Sequence, residues 1–163
     1  MDRLIEKIIE TQNPTCVGLD TRLEYIPDYF LDEIGEKGDT LASASRAIFE
    51  FNKRIIDAVA DIVPSVKIQI AYYEMYGTAG INVFARISEY AKQQGLYVIS
   101  DIKRNDIGAT AGAYSTAYLG DTPLKNTTQT AYVSDSVTVN GYLGTDGIVP
   151  FVENAVKNDK TLF

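Results

Sequence analysis

Four short segments of this chain alternate polar and aliphatic residues, and helix-like stretches separate them. "TCVGLD" at 15–20 puts Gly18 and Asp20 on one side and Val17 and Leu19 on the other. "SVKIQI" at 65–70 sets Lys67 and Gln69 against Ile68 and Ile70. "LYVISDIK" at 96–103 sets Asp101 and Lys103 against Val98 and Ile102, and "SVTVN" at 136–140 sets Thr138 and Asn140 against Val137 and Val139. A period of two is the signature of a strand with two different faces. Between strands, residues 40–62 place Ile48, Phe51, Ile55, Val59 and Ile62 at helical spacing before Pro64. Residues 79–94 do the same with Ile81, Phe84, Ile87 and Ala91, stopped by Gly95. Helices are further expected over 2–10, 107–119 and 147–158. The segment 21–39 reads as a loop with one short helix, and 121–135 as a polar loop.

Strands alternating with helices imply crossover connections and a parallel sheet. A doubly wound sheet is covered by helices on both faces, so its strands are apolar on both. These strands are apolar on one face only. A barrel fits them: its outer face packs on helices, and the inner-face strand ends build a site. The expected fold is therefore α/β, a (β/α)8 barrel of the TIM type. A complete barrel needs about 250 residues, and this chain has 163. With "KTLF" at 160–163 as the start of a fifth strand, residues 1–163 are expected to form a single domain that supplies the first four to five β/α units of a C-terminally incomplete barrel.

The chain contains no histidine. That excludes Ser-His-Asp and Cys-His catalysis and the usual zinc sites, and leaves acid–base work to Lys, Asp, Glu or Tyr. The single cysteine, Cys16, excludes an internal disulfide and is expected in the core. A net charge of -7, with no basic stripe, argues against a nucleic-acid binder. No apolar run has the roughly 20 residues that span a bilayer, and "MDRLIEKIIE" lacks a signal-peptide core. A cytoplasmic protein with no membrane partner is expected.

"SDIKRNDIG" at 100–108 crowds Asp101, Lys103 and Asp106 at the end of an apolar strand. Taken alone, it reads equally well as a solvated turn with a helix cap. The other strands change the balance, because Asp20 and Lys67 project to the same interior. Together Asp20, Lys67, Asp101, Lys103 and Asp106 would place two ammoniums among three carboxylates. Such a cluster is costly to desolvate and makes more sense as a functional site than as a stabilising device. A lysine flanked by carboxylates is held in its charged form. It is then a poor Schiff-base nucleophile and a good proton donor, suited to a carbanion.

"DIKRNDIGAT" at 101–110 resembles the D-x-K-x-x-D signature of the orotidine 5'-phosphate decarboxylases. "VGLD" at 17–20, "VKIQIAYYE" at 66–74 and "VTVNGYLGTDG" at 137–147 resemble that family's first, second and fourth strand motifs, and the longer segment after strand one resembles its longer bacterial branch. The resemblance implies a homodimeric barrel that converts orotidine 5'-phosphate to UMP and CO2 in pyrimidine biosynthesis, with no cofactor and no metal. It implies that Lys103 protonates C6 of the pyrimidine and that Asp101 sits against the departing carboxylate. Lys67 would hold the ribose and the charge network, and Asp20 would bind a ribose hydroxyl. Asp106, Ile107 and Thr110 match positions that the family contributes to the neighbouring subunit's site. Asn140 is expected at the same mouth. The family's pyrimidine-recognising serine, closing-loop glutamine and phosphate-gripping arginine have no counterpart up to Phe163, so these residues alone are expected to be nearly inactive.

Two other readings compete. Sugar-phosphate decarboxylases and aldolases of the same suprafamily share D-x-K-x-x-D but use Mg2+ held by an acidic residue on strand two; here that position is Lys67, which would repel the metal. A non-catalytic barrel fragment is the other, opposed by the intact charged constellation. The tyrosines of "AYYEMYG" at 71–77 are expected to pack beside strand two rather than stack on bases.

Overall fold

In the computed structural model all 163 residues are described. Helix α1 (Asp2–Thr11) leads into β1 (Cys16–Gly18). A 3-10 turn (Leu23–Tyr25), α2 (Asp28–Ile34) and α3 (Leu41–Val59) follow, then β2 (Ser65–Gln69). Next come α4 (Ala71–Glu74), α5 (Gly77–Gln93), β3 (Tyr97–Arg104) and α6 (Gly108–Leu119). The chain continues through β4 (Thr122–Pro123), β5 (Thr128–Gln129), β6 (Ser136–Val139), α7 (Thr145–Lys157) and β7 (Thr161–Leu162). The main sheet has five strands in the order β1-β2-β3-β6-β7, and every pairing in it is parallel. Chain order and spatial order agree, so the sheet lacks the reversal of strand order that marks doubly wound folds.

The two faces differ as the alternation requires. On the outer face Val66, Ile68, Val98, Ile102 and Val137 are buried in one continuous apolar cluster with Ile48 and Ile56 of α3, Phe84 and Ile87 of α5, Leu119 of α6 and Phe151 of α7. Burying a Val, Ile or Phe side chain contributes about 1.5–3 kcal/mol each, so this face carries the fold. On the inner face, Tyr97 and Ile99 near the start of β3 pack under Leu4 and Ile8 of α1. Helix α1 thus covers the N-terminal end of the inner surface and leaves the C-terminal end open. Its amino terminus donates to Thr161 Oγ1 at 2.7 Å, tying it to β7.

Several expectations need correction. Cys16 is exposed rather than in the core. It faces inward on β1, which among residues 1–163 pairs with β2 and has no partner strand on its other side. Helix α3 stops at Val59, and Ile62, expected on its buried stripe, is 53% exposed in the turn that follows. The helix expected over 79–94 is α5, which begins at Gly77 and is preceded by the separate turn of α4, because Gly77 takes a left-handed φ of 62° between them. The polar loop over 121–135 contains a short antiparallel hairpin, β4 with β5. No helix is long and apolar enough to cross a membrane.

Candidate active site

Asp101 is the centre of the inner face. Its side chain is 6% exposed, and both oxygens are fully engaged. Oδ1 accepts from Lys103 Nζ at 2.5 Å and from Thr138 Oγ1 at 2.6 Å. Oδ2 accepts from Lys67 Nζ at 3.0 Å and from Gln69 Nε2 at 2.9 Å. Lys67 Nζ reaches on to Asp20 at 3.3 and 3.4 Å. The result is a row of alternating charge, Asp20, Lys67, Asp101, Lys103, drawn from the ends of three parallel strands.

Each member is held by its element. Asp20 leaves β1 just after Leu19, whose carbonyl accepts from the buried Tyr73 hydroxyl at 2.8 Å. That hydroxyl accepts from Asn52 Nδ2 at 3.0 Å, and Asn52 Oδ1 accepts from Thr21 Oγ1 at 2.5 Å. Tyr73 is 1% exposed, so this tyrosine of "AYYEMYG" packs and does not stack. Lys67 and Gln69 share one face of β2. Lys103 has a φ of 46°, the only left-handed residue inside a strand. Between Ser100 and Arg104 the pairing of β3 with β6 slips, so that Ser100 faces Val137 but Arg104 faces Val139. This bulge frees the Lys103 amide from the ladder and turns the side chain toward the open mouth.

Electrostatics follow from burial against contacts. For Asp101 the largest single influence is burial, which raises its pKa; hydrogen bonds from Lys103, Thr138 and Lys67 together outweigh it and hold the carboxyl below the ordinary value. For Lys67 burial is again the largest influence and lowers its pKa, but the hydrogen bonds and charges of Asp101 and Asp20 outweigh it and leave it raised. Both groups are thus held in their charged forms.

Four of the five charged residues expected to gather do so. Asp106 does not: its carboxylate joins no ion pair and Oδ1 accepts from the Ile107 amide at 2.8 Å. It lies beyond the bulge, on the segment that leads into α6, where Ile107 is 68% exposed and Thr110 half-buried. Asn140 is exposed and turned back on its own backbone, its Oδ1 accepting from the Tyr142 amide at 2.9 Å. Two site residues escaped selection, Thr138 and Gln69. Both lie on the inward face of strands whose alternation was legible, and that was the available signal. The concavities elsewhere are unrelated to this array: one of about 300 Å3 is lined by Glu36, Arg46, Phe49 and Arg86 on the helical exterior. The charged row lies instead on the open inner surface of the sheet.

The sequence profile described as "Orotidine 5'-phosphate decarboxylase / HUMPS family" matches residues 14–163. The chain belongs to this family. An orotidine 5'-phosphate decarboxylase of Caldicellulosiruptor saccharolyticus is 43% identical over 163 residues, which are 99% of this chain and 53% of that protein. One of Rhodopirellula baltica is 46% identical over 146 residues, 90% of this chain and 47% of that protein. Among solved structures, the Leishmania donovani OMP decarboxylase superposes with a TM-score of 0.70 at 25% identity, over 99% of this chain and 51% of its own. The chain spans about half the length of the curated relatives it matches. The five-stranded parallel wall is that of a TIM barrel, of which this chain supplies about the first half. The family's D-x-K-x-x-D segment is here the end of β3 with its bulge.

Proposed function

We propose that the full-length protein decarboxylates orotidine 5'-phosphate to UMP and CO2 without a cofactor. The observation that carries the reading is the placement of the Lys103 ammonium on Asp101 Oδ1 at 2.5 Å while Lys67 holds the other oxygen. A proton donor and a fixed carboxylate are thereby presented side by side at an open strand end. In this reaction the bond from C6 to the carboxylate breaks, CO2 departs, and the electron pair remains on C6. Lys103, 61% exposed in its side chain, stabilises that developing charge and delivers its proton to C6. Asp101 orients Lys103 and faces the departing carboxylate, and stabilisation of the developing carbanion by Lys103 is the larger contribution.

Asp20 and Lys67 serve the ribose. Asp106, Ile107 and Thr110 are assigned to the neighbouring subunit's site in a homodimer. Two features support that assignment: Asp106 has no charged partner within its own chain, and Ile107 is an exposed aliphatic at the rim. Asn140 is assigned to the mouth. Residues 1–163 act as a single unit of the barrel. A Mg2+-dependent sugar-phosphate reaction is disfavoured by Lys67, an ammonium on the strand face where a cation would have to sit.

The test is turnover by the purified full-length protein in EDTA. UMP and CO2 are expected at an undiminished rate. Activity on orotidine 5'-phosphate that is absent, or that requires added Mg2+, would contradict the reading.

A further inference from the structure

The bulge in β3 frees one backbone donor and holds one backbone in a left-handed conformation, and a single hydroxyl answers both. Thr138 stands opposite the slip in register, on β6 between Val137 and Val139. Its Oγ1 accepts from the Lys103 amide at 3.0 Å and donates to Asp101 Oδ1 at 2.6 Å. A hydroxyl has one proton, and here it goes to the carboxylate; a lone pair remains for the amide. Lys103 carries a side chain at a φ of 46°, a conformation that persists only where its surroundings over-determine it. The hydrogen bond from its amide to Thr138 Oγ1 is the constraint visible at that residue's backbone.

We propose that Thr138 is a positioning residue: its hydroxyl clamps the left-handed backbone of Lys103 and the carboxylate on which the Lys103 ammonium rests, so that proton donor and carboxylate stay in register. The proposal rests on the decarboxylase reading for its kinetic consequence but not for its structural one. Asp101 is faced by Lys67 and Gln69 from β2, by Lys103 from its own strand and by Thr138 from β6, with Asp20 beyond Lys67. Of these, only Thr138 touches both the carboxylate and the lysine's backbone. Valine is nearly isosteric with threonine and lacks the hydroxyl. Thr138→Val therefore leaves the Lys103 amide and one lone pair of Asp101 without partners.

The experiment uses the full-length protein and two variants, T138V and T138S. In T138V, kcat for orotidine 5'-phosphate falls about 10- to 100-fold with KM within about 3-fold, the size of a lost hydrogen bond to a charged group. The acid limb of its rate profile moves to higher pH, because the carboxylate has lost a donor. T138S, which keeps the hydroxyl, recovers kcat to within about 3-fold of the parent. Independently of activity, hydrogen exchange at the Lys103 amide in 15N-lysine-labelled protein accelerates roughly 10-fold or more in T138V and not in T138S. Unchanged exchange in T138V overturns the proposal, as does a kinetic defect that T138S shares, since that would assign the effect to the methyl group. If the parent protein fails to decarboxylate, the functional reading falls, and the exchange measurement still decides the role of Thr138.

Discussion

Asp101 is a buried carboxylate made tolerable by four donors, and its protonation ties stability to pH. Its folded pKa lies below the unfolded value of about 3.9. The native state therefore holds fewer protons than the unfolded one in that window. The stabilisation is present above about pH 3.9 and fades as pH falls through the folded value. Lys67 has the opposite sign: its raised pKa gives stability that is present below about pH 10.4 and is lost as pH rises through the folded value. Its side chain is 32% exposed, so solvent screens that contribution and the acid side is the better test. Denaturation midpoints measured from pH 6 to 3 should fall more steeply for the parent than for Asp101→Asn. Parallel curves would mean that the carboxylate is not held by its donors.

At the scale of elements, close approaches fix where the site residues stand. Gly80 opens the second turn of α5, and a Cβ there would overlap the Tyr73 carbonyl oxygen and lie 2.8 Å from its carbonyl carbon. Tyr73 in turn carries Leu19 O, one residue from Asp20. Gly80→Ala should destabilise the protein by about 1–3 kcal/mol, the usual range for overpacking, and weaken the Asp20 end of the charge row. A midpoint in urea within error of the parent would show that the helix can retreat without penalty. Gly147 plays a similar part at the other end. A Cβ on it would sit 2.9 Å from Asp106 O and closer still to Asn105 Oδ1, so α7 can lie against the segment that leads to Asp106 only because that position is bare.

The same elements show what was legible. Strand alternation exposed Lys67, Asp101 and Lys103 because period two is a local property of the chain. The bulge at Lys103 was not legible, since it arises from how β3 meets β6 thirty-five residues later through the Thr138 hydroxyl. Cys16 misled for a related reason: an apolar side chain on a strand reads as core, but its burial depends on the strand beside β1, and residues 1–163 place one only on the β2 side. Asp106 looked like a member of the cluster by spacing, but within this chain its carboxylate turns to the Ile107 amide instead.

At the scale of the whole molecule, the apolar core and the candidate site lie on opposite faces of one sheet. The outer face is aliphatic and lies under α3, α5, α6 and α7. The inner face is sealed at its N-terminal end by α1 through Leu4, Ile8, Tyr97 and Ile99. It is polar at its C-terminal end, where the charge row lies. This division lets costly charges gather at one end of the wall without entering the apolar core. The central claim is that the lysine at the bulge is the proton donor. The measurement that tests it most directly is decarboxylation of orotidine 5'-phosphate by full-length Lys103→Ala, with UMP affinity measured on the same preparation. Turnover should fall by roughly 1,000-fold or more while UMP binds within about 10-fold of the parent, because the lost group acts on the carbanion rather than on the bound product. Turnover close to that of the parent would contradict the account.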